Sequence, residues 1–329
     1  MMSISDMYVR FATPFGLLEA VRGVNLEIPA GASVGIVGES GSGKTVMSRA
    51  AMGLLSGSNV RREGKVMFNG RELTAMSPAE VRGQFGTGMA MIFQDPMTAL
   101  NPVRRVGTQI SESLRVRLGM DKKQAMKRSA ELLSLVRIPD PEAMLRKFPY
   151  QLSGGMRQRV MIAIAISCNP ELLFADEPTT ALDVTVQAQI LQLLSDLRRD
   201  LKMSMVLVTH DLGVVANHTD FVAVMYAGEI VEQASTAELA ELFANMKMPY
   251  TQALLESIPN IEMKSGARLK VIEGRLPNPV DRPKGCGFVT RCTYAQQKCH
   301  DEHPPLVDAG NGHLYRCWYP LGHTIARKQ

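Results

Sequence analysis

The stretch GESGSGKT, residues 38–45, fits the pattern G-x-x-x-x-G-K-[ST] and is called the phosphate loop below. It follows the short apolar run Ser33–Val37, predicted to be a buried strand, and precedes a predicted helix that begins at Lys44. Glycines let backbone N–H groups turn towards phosphate oxygens, and the helix N-terminus attracts the same anion. The sequence therefore predicts binding of a nucleoside triphosphate. The predicted nucleotide contacts in the loop are Gly38, Ser40, Gly41, Ser42, Gly43, Lys44 and Thr45.

A second nucleotide-related pattern is LLFADE, residues 172–177, a hydrophobic strand that ends in two carboxylates. Asp176 is predicted to hold Mg²⁺ together with the hydroxyl of Thr45. Because side chains alternate along a strand, Glu177 is free to take another role, as general base or water positioner. Adjacent Asp and Glu favour activation of water, and so hydrolysis, over transfer to a bound acceptor.

The stretch LSGGM, residues 152–156, opens another predicted helix. Ser153 at the helix N-terminus, with Gly154 and Gly155 allowing close backbone approach, predicts a second anion site. The structural alternative is a Ser N-cap without further function.

In this order, the three motifs resemble those of the ABC ATPase family, whose signature is usually LSGGQ; Met156 replaces the common Gln here. The resemblance covers about residues 5–245. It implies that Ser153, Gly154 and Gly155 contact the γ-phosphate bound to a second ATPase subunit, so that two nucleotides lie between two chains.

Further positions match that family. Gln94 resembles the Q-loop glutamine, which contacts Mg²⁺ and acts in catalysis. Asp183 belongs to residues 181–183, which resemble the D-loop that contacts the partner subunit, and His210 resembles the switch histidine near the γ-phosphate. An aromatic near the N-terminus stacks on adenine in this family. Tyr8, Phe11 and Phe15 are candidates, and Phe11 is favoured.

The surrounding sequence resembles the D-type ATPase subunit of the dipeptide and oligopeptide importers. This implies ATP hydrolysis that energises peptide uptake, with a homologous second ATPase subunit, two permeases and an extracytoplasmic solute-binding protein as partners. It also implies a peripheral position on the cytoplasmic face of the inner membrane. The alternatives are import of nickel or opine-like solutes and a non-transport ABC ATPase of nucleic-acid repair or translation. The matching stretches are residues 91–102, 148–151, 210–212, 224–228 and 249–251.

The charge and hydropathy of the sequence limit the kinds of partner that the protein is expected to bind. The formal net charge is +5, and no run of five basic residues occurs, so no nucleic-acid partner is expected. Asp6 and Arg10 interrupt the first residues, so no secretory signal is expected. The apolar stretches are shorter than the roughly 20 residues that span a bilayer, so any membrane role comes through partner chains.

Strands that alternate with helices predict an α/β fold. We expect a P-loop NTPase core with an antiparallel β subdomain and an inserted helical subdomain at about residues 95–165, which includes a helix over residues 122–136. Composition shifts near residues 246–249, where Pro, Gly and Cys become frequent. The predicted domains are therefore residues 1–248 and a small C-terminal domain, residues 249–329.

Four cysteines of the C-terminal region have the spacing Cys286-x5-Cys292-x6-Cys299-x17-Cys317. In a reducing compartment such a group suggests a metal site before disulfides. The spacing fits neither paired zinc ligands nor the ferredoxin pattern. The resemblance implies a [4Fe–4S] cluster, which some importer subunits hold there; zinc and metal-free thiols remain alternatives. Imidazoles that could replace a thiolate are His300, His303 and His313.

Overall fold

The computed structural model describes residues 1–180, 182–235, 246–257 and 272–322. Ala181, at the start of the predicted D-loop, lies outside the described residues. The chain divides into two compact units. The first unit consists of Met1–Ile28, Ser33–Ala75 and Thr209–Gln329, and the second of Pro29–Ala32 and Met76–Val208.

The described strands run in chain order and are numbered accordingly. They are β1 (Met2–Thr13), β2 (Gly16–Ile28), β3 (Ser33–Val37), β4 (Val60–Phe68), β5 (Arg71–Glu72), β6 (Met89–Ile92), β7 (Leu172–Asp176), β8 (Ser204–Thr209), β9 (Phe221–Tyr226), β10 (Glu229–Ser235), β11 (Val307–Asp308) and β12 (Leu314–Tyr315).

The described α-helices are numbered in the same way. They are α1 (Lys44–Ala51), α2 (Pro78–Gln84), α3 (Pro96–Ala99), α4 (Val106–Leu118), α5 (Lys122–Leu135), α6 (Pro141–Leu145), α7 (Gly154–Ile166), α8 (Val184–Leu201), α9 (Leu212–His218), α10 (Pro249–Glu256) and α11 (Gln297–Asp301). None of them is both long enough and apolar enough to cross a membrane.

The first unit contains the predicted antiparallel β subdomain, with strand order β2-β1-β4-β5. Val9 of β1 lies opposite Val21 of β2, and both are buried. In a separate group of strands, β3 pairs in parallel with β9, and β9 pairs antiparallel with β10. Every residue of β3 is buried, as the short apolar run predicted. This places the phosphate loop at the carboxyl end of a core strand.

The C-terminal region adds two short strands to the first unit. β12 pairs antiparallel with both β10 and β11, and Tyr315 lies opposite Glu232. The composition of this region, in which Pro, Gly and Cys are frequent, did not predict these strands. A strand of two residues shows no alternation of apolar and polar positions, so only its pairing partner reveals it.

The second unit contains the parallel strands β6, β7 and β8, with β7 in the middle. All residues of these strands within this unit are buried. Helices α4 to α7 form the predicted helical segment. α5 begins after Asp121, whose carboxylate accepts a hydrogen bond from the N–H of Gln124 (2.9 Å) while the Gln124 side chain returns one to the Asp121 N–H. The expected helix over residues 122–136 is therefore present and ends one residue earlier.

Candidate nucleotide-binding residues and cysteine cavity

The phosphate loop joins β3 to α1 in the first unit. Gly41 and Gly43 have φ angles of 82° and 103°, a region that L side chains rarely adopt. A Cβ atom on Gly38 would overlap the backbone carbonyl oxygen of Met225, and one on Gly43 would lie 2.5 Å from the carbonyl oxygen of Ala20. Glycine is therefore required at these positions by backbone conformation or by space.

Lys44, the first residue of α1, is 4% exposed. Its Nζ donates to the carbonyl oxygens of Gly38 (2.7 Å) and Glu39 (3.0 Å), so the ammonium group lies within the loop. The hydroxyl of Ser42 is also buried and has no hydrogen-bond partner within the described residues. Thr45 follows on the first turn of α1. A buried ammonium and a buried hydroxyl on one loop fit a bound anion such as a triphosphate.

The two predicted carboxylates lie in the second unit. Asp176 ends β7 and is fully buried. Glu177 follows with a φ angle of 45°, and its N–H donates to the carbonyl oxygen of Val208 (2.9 Å). The Glu177 carboxylate accepts hydrogen bonds from Nε2 of Gln94 (2.8 Å) and Oγ1 of Thr180 (3.0 Å). Gln94 and Glu177, which the sequence analysis selected separately, are thus in direct contact.

The signature residues lie at the start of α7, also in the second unit. Ser153 is the N-cap, and its hydroxyl accepts a hydrogen bond from the backbone N–H three residues later (3.3 Å). Gly154 is exposed, and a Cβ atom on Gly155 would lie 2.9 Å from Cγ1 of Val186 on α8. Asp183 caps α8 by accepting from the Val186 N–H (2.9 Å). The structural alternative, an N-cap, is therefore present at Ser153, and it leaves the surface of Gly154 open.

His210 lies between β8 and α9 in the first unit and is exposed. The next residue, Asp211, caps α9 and accepts hydrogen bonds from the N–H groups of Gly213 (2.8 Å) and Val214 (3.3 Å). This cap holds the turn that carries the imidazole.

The aromatic candidates lie on or beside β1. Phe11 is half-buried and lies opposite Leu18 of β2. Tyr8 is half-buried under the guanidinium of Arg10, 4.7 Å from the ring centroid. Phe15 lies in the turn between β1 and β2 and is 89% exposed.

The C-terminal cysteines come together around one cavity in the first unit, with Phe288 and Trp318 among its other walls. Burial raises the pKa of three of these thiols, at Cys286 to about 11, at Cys317 to about 12, and also at Cys292. Protonated thiols must lose their protons before they bind a metal, so binding would release protons. The cysteines that line the cavity are Cys286, Cys292, Cys299 and Cys317.

The histidines do not line this cavity. His303 pairs with Glu229 (2.9 Å) and His313 pairs with Glu232 (2.7 Å), whereas His300 is exposed. The alternative in which an imidazole replaces a thiolate therefore finds no support among the described residues.

Within residues 1–180, 182–235, 246–257 and 272–322, no group of three or more His, Cys, Asp or Glu side chains could hold a metal ion. A single zinc ion requires four donors at about 2.3 Å from one centre, which brings sulfurs to roughly 4 Å of each other. In an iron–sulfur cluster the four thiolates are shared among several iron atoms, so they surround a larger volume. The described residues therefore do not support a metal site at the four cysteines, neither for a single ion nor for a cluster.

Sequence profiles of two families match the chain. The profile described as ABC transporter matches residues 21–180, and the one described as oligopeptide/dipeptide transporter, C-terminal region, matches residues 231–299. Among solved structures, the dimeric ATP-binding cassette MJ0796, bound to ADP and phosphate in a post-hydrolysis state, is similar with a TM-score of 0.65 and 27% identity. The match covers 72% of this chain and 99% of that one. The chain therefore belongs to the ABC transporter family and has the ABC ATPase fold.

Curated relatives match nearly the whole chain. It is 45% identical over 319 residues to the oligopeptide transport ATP-binding protein OppD of Bacillus subtilis (strain 168), which covers 97% of this chain and 88% of OppD. It is also 45% identical over 321 residues to the dipeptide transport ATP-binding protein DppD of Escherichia coli (strain K12), with 98% and 97% covered. Within the family, this chain is thus similar to the ATP-binding proteins of peptide transport.

Proposed function

We propose that this chain is the ATP-binding and ATP-hydrolysing subunit of an ABC importer that energises uptake of dipeptides or oligopeptides across the cytoplasmic membrane. The observation that carries the proposal is the near full-length similarity to peptide-transport ATP-binding proteins, including the specialised C-terminal region. The proposal is also supported by the position of the nucleotide motifs, each of which follows a strand or begins a helix.

The phosphate loop would hold the phosphates, with the Lys44 ammonium at the β- and γ-phosphates. Thr45 and Asp176 would hold Mg²⁺, which stabilises the charge that develops on the phosphate oxygens. The Glu177 carboxylate would polarise the attacking water, and its hydrogen bond from Gln94 orients it for that role. His210 would contact the γ-phosphate, and Phe11 would stack on adenine.

A second, homologous ATPase subunit would complete the site. The exposed Gly154 and the hydroxyl of Ser153 lie at a helix N-terminus, which suits the γ-phosphate of a nucleotide on another chain. Asp183 would lie at the same interface. Isolated chains should therefore hydrolyse ATP slowly. A rate per chain that is high and independent of protein concentration would contradict this proposal.

Two permeases and an extracytoplasmic solute-binding protein would be the other partners. The chain would then lie on the cytoplasmic face of the inner membrane as a peripheral subunit. We propose residues 1–248 as the nucleotide-binding domain and residues 249–329 as the C-terminal domain.

The cysteine cavity would hold a [4Fe–4S] cluster through Cys286, Cys292, Cys299 and Cys317. A cluster cross-links the chain and would stabilise a region with little core of its own. Anaerobic purification should give a brown protein with iron and sulfide in near-equal amounts. A protein without iron, or with zinc alone, would contradict this cofactor.

The experiment that tests the function is co-expression with the permease subunits of a peptide importer from the same organism. The chain should co-purify with them, and ATP hydrolysis by the complex should rise when the solute-binding protein carries a peptide. A complex that hydrolyses ATP but responds to nickel or an opine-like solute would replace the proposed substrate class. A chain that forms no complex with a permease would contradict the transport function.

A further inference from the structure

An ion pair links the cysteine-containing region to the phosphate loop. Nη1 and Nη2 of Arg291 bind the two carboxylate oxygens of Glu39 at 2.6 Å and 2.9 Å. The Arg291 side chain is 3% exposed and that of Glu39 is 25% exposed. A bidentate pair of this kind fixes direction as well as distance. Glu39 is the second residue of the phosphate loop, and Arg291 immediately precedes Cys292.

Other contacts fix the guanidinium. Its Nε donates to the carbonyl oxygen of Glu273 (2.9 Å), and Nη2 donates to that of Ile272 (3.1 Å). The backbone N–H of Arg291 donates to the carbonyl oxygen of Phe288 (3.0 Å). The position of the guanidinium is therefore fixed by contacts with its own segment as well as by Glu39.

The backbone of Glu39 is held from the same side. Its N–H donates to the hydroxyl of Tyr250 (2.9 Å). The Tyr250 ring packs against Tyr226 and Phe288, at centroid distances of 4.5 Å and 5.4 Å. Because Phe288 lies between Cys286 and Cys292 in the chain, both the side chain and the backbone of Glu39 depend on the cysteine segment.

The charges of the Arg291–Glu39 pair affect the binding of the ligand that is expected at the phosphate loop. Glu39 places a carboxylate on a loop whose expected ligand is a polyanion, and like charges in a partly buried site repel strongly. The guanidinium of Arg291 neutralises that carboxylate. Loss of the arginine would leave a negative charge beside the phosphates and would release the loop from one of its contacts.

We propose, on the basis of the nucleotide-binding function proposed above, that Arg291 is a positioning residue for the phosphate loop. Through the Arg291–Glu39 pair, nucleotide affinity depends on the conformation of residues 286–292.

The test measures the Kd of a fluorescent ATP analogue with Mg²⁺ on the full chain. The variants are Arg291→Gln, Glu39→Gln and the double variant. Arg316→Gln is the matched control, because Arg316 binds the carbonyl oxygens of Ile230 (3.1 Å) and Pro304 (3.5 Å) and makes no described contact with the loop. Thermal unfolding of each variant separates loss of affinity from loss of fold.

We expect Arg291→Gln to raise the Kd about tenfold, a usual size for coupling between two sites. Arg316→Gln should leave the Kd unchanged. The double variant should bind more tightly than Arg291→Gln alone, since it no longer carries the unpaired carboxylate. An unchanged Kd in Arg291→Gln, or equal Kd values for Arg291→Gln and the double variant, would overturn the proposal. Absence of binding by the unmodified chain would instead overturn the proposed function.

A second measurement tests the dependence on the cysteine segment. Cys292→Ser should raise the Kd when Arg291 is present and should have little further effect in the Arg291→Gln background. Equal effects of Cys292→Ser in both backgrounds would mean that the segment acts without the ion pair, and would overturn the coupling.

Discussion

The phosphate loop and the cysteine cavity are two sites of the same unit that are built in opposite ways. Eight consecutive residues form the loop, and its glycines and lysine act where the sequence puts them. The cavity is lined by residues of three separate segments, 248–249, 286–299 and 317–319, and the last two supply its cysteines. A site made of consecutive residues can be recognised by pattern, whereas a dispersed site is recognised only when its residues are seen together.

The surroundings of the two sites differ as well. The strand before the loop is buried at every position. The C-terminal region packs on β9 through a buried cluster that includes Tyr250, Phe288 and Tyr226. Polar contacts add to this packing, since His303 and His313 pair with Glu229 and Glu232. Arg282 adds hydrogen bonds to the carbonyl oxygens of Ala227 and Glu19. The first site thus follows a fully buried strand, whereas the second lies where packing, ion pairs and hydrogen bonds together join the C-terminal region to β9 and β10.

The largest expected effect is a loss of ATP turnover, which would show that hydrolysis depends on the nucleotide motifs and not on the cysteine cavity. Glu177→Gln removes the charge that polarises water but keeps the shape, so ATP turnover of the assembled complex should fall about 10²- to 10⁴-fold. ATP binding should persist. Glu131→Gln, at an exposed pair with Arg128, is the control. Turnover near the unmodified rate in Glu177→Gln would remove Glu177 from the proposed mechanism.

The next expected effect is a loss of stability caused by steric overlap beside the cysteine cavity. A Cβ atom on Gly285 would overlap the backbone carbonyl of Cys299, so Gly285→Ala should cost about 2 kcal/mol of unfolding free energy. Gly287→Ala is the matched control, since its Cβ would lie 3.8 Å from the ring of Tyr226, an ordinary contact. Denaturant unfolding of both variants measures the difference. Equal free energies of unfolding for the two variants would contradict this prediction, because the backbone beside the cavity would then shift at little cost to accept the added methyl group.

A smaller expected effect, on nucleotide affinity, tests which aromatic side chain stacks on the adenine base. Phe11→Ala should weaken binding of the ATP analogue about tenfold, because stacking on a base is worth roughly 1–3 kcal/mol. Phe15→Ala provides the comparison, since Phe15 is the exposed candidate. If Phe15→Ala weakens binding and Phe11→Ala does not, the base stacks on the turn between β1 and β2.

The smallest expected effect is a pH-dependent change in stability, which arises from the contact between Glu229 of β10 and His303 of the C-terminal region. Burial alone would raise the pKa of Glu229, but the hydrogen bond and charge of His303, with Arg22 and Arg316, lower it below 4.5 overall. The stabilisation by this carboxylate is therefore complete above pH 4.5 and is lost as the pH falls through the lower, folded-state value. Melting temperatures of the unmodified chain and Glu229→Gln should differ at pH 7 and converge in acid. A constant difference down to pH 3 would contradict this.

Elements with a strong local pattern were predicted well. β3 has the predicted bounds, Ser33–Val37, and the parallel strands of the second unit are buried along their length there. β6 ends at Ile92, and the next residue, Phe93, is apolar but 39% exposed. An apolar residue at the end of a strand does not reveal from sequence whether the chain has already turned to the surface.

The motifs of the candidate site were predicted one by one from the sequence, but some contacts between their residues were not predicted. The contact between Gln94 and Glu177 joins residues 83 positions apart. Glu39 and Arg291 were not selected at all, because each occurs as an ordinary charged residue beside a motif. A pair that is 252 positions apart leaves no periodic signal.

The phosphate loop, the acidic strand end and the helix start at Ser153 could be recognised from the residues alone, because these features depend on backbone conformations set by consecutive residues. The family could be recognised in the same way, since three short motifs in a characteristic order need no contacts to be identified. The folded chain was needed to show that four dispersed cysteines line one cavity and that Arg291 reaches Glu39. Such contacts depend on how strands pair and rings pack, and that choice is made by the whole chain rather than by any short segment.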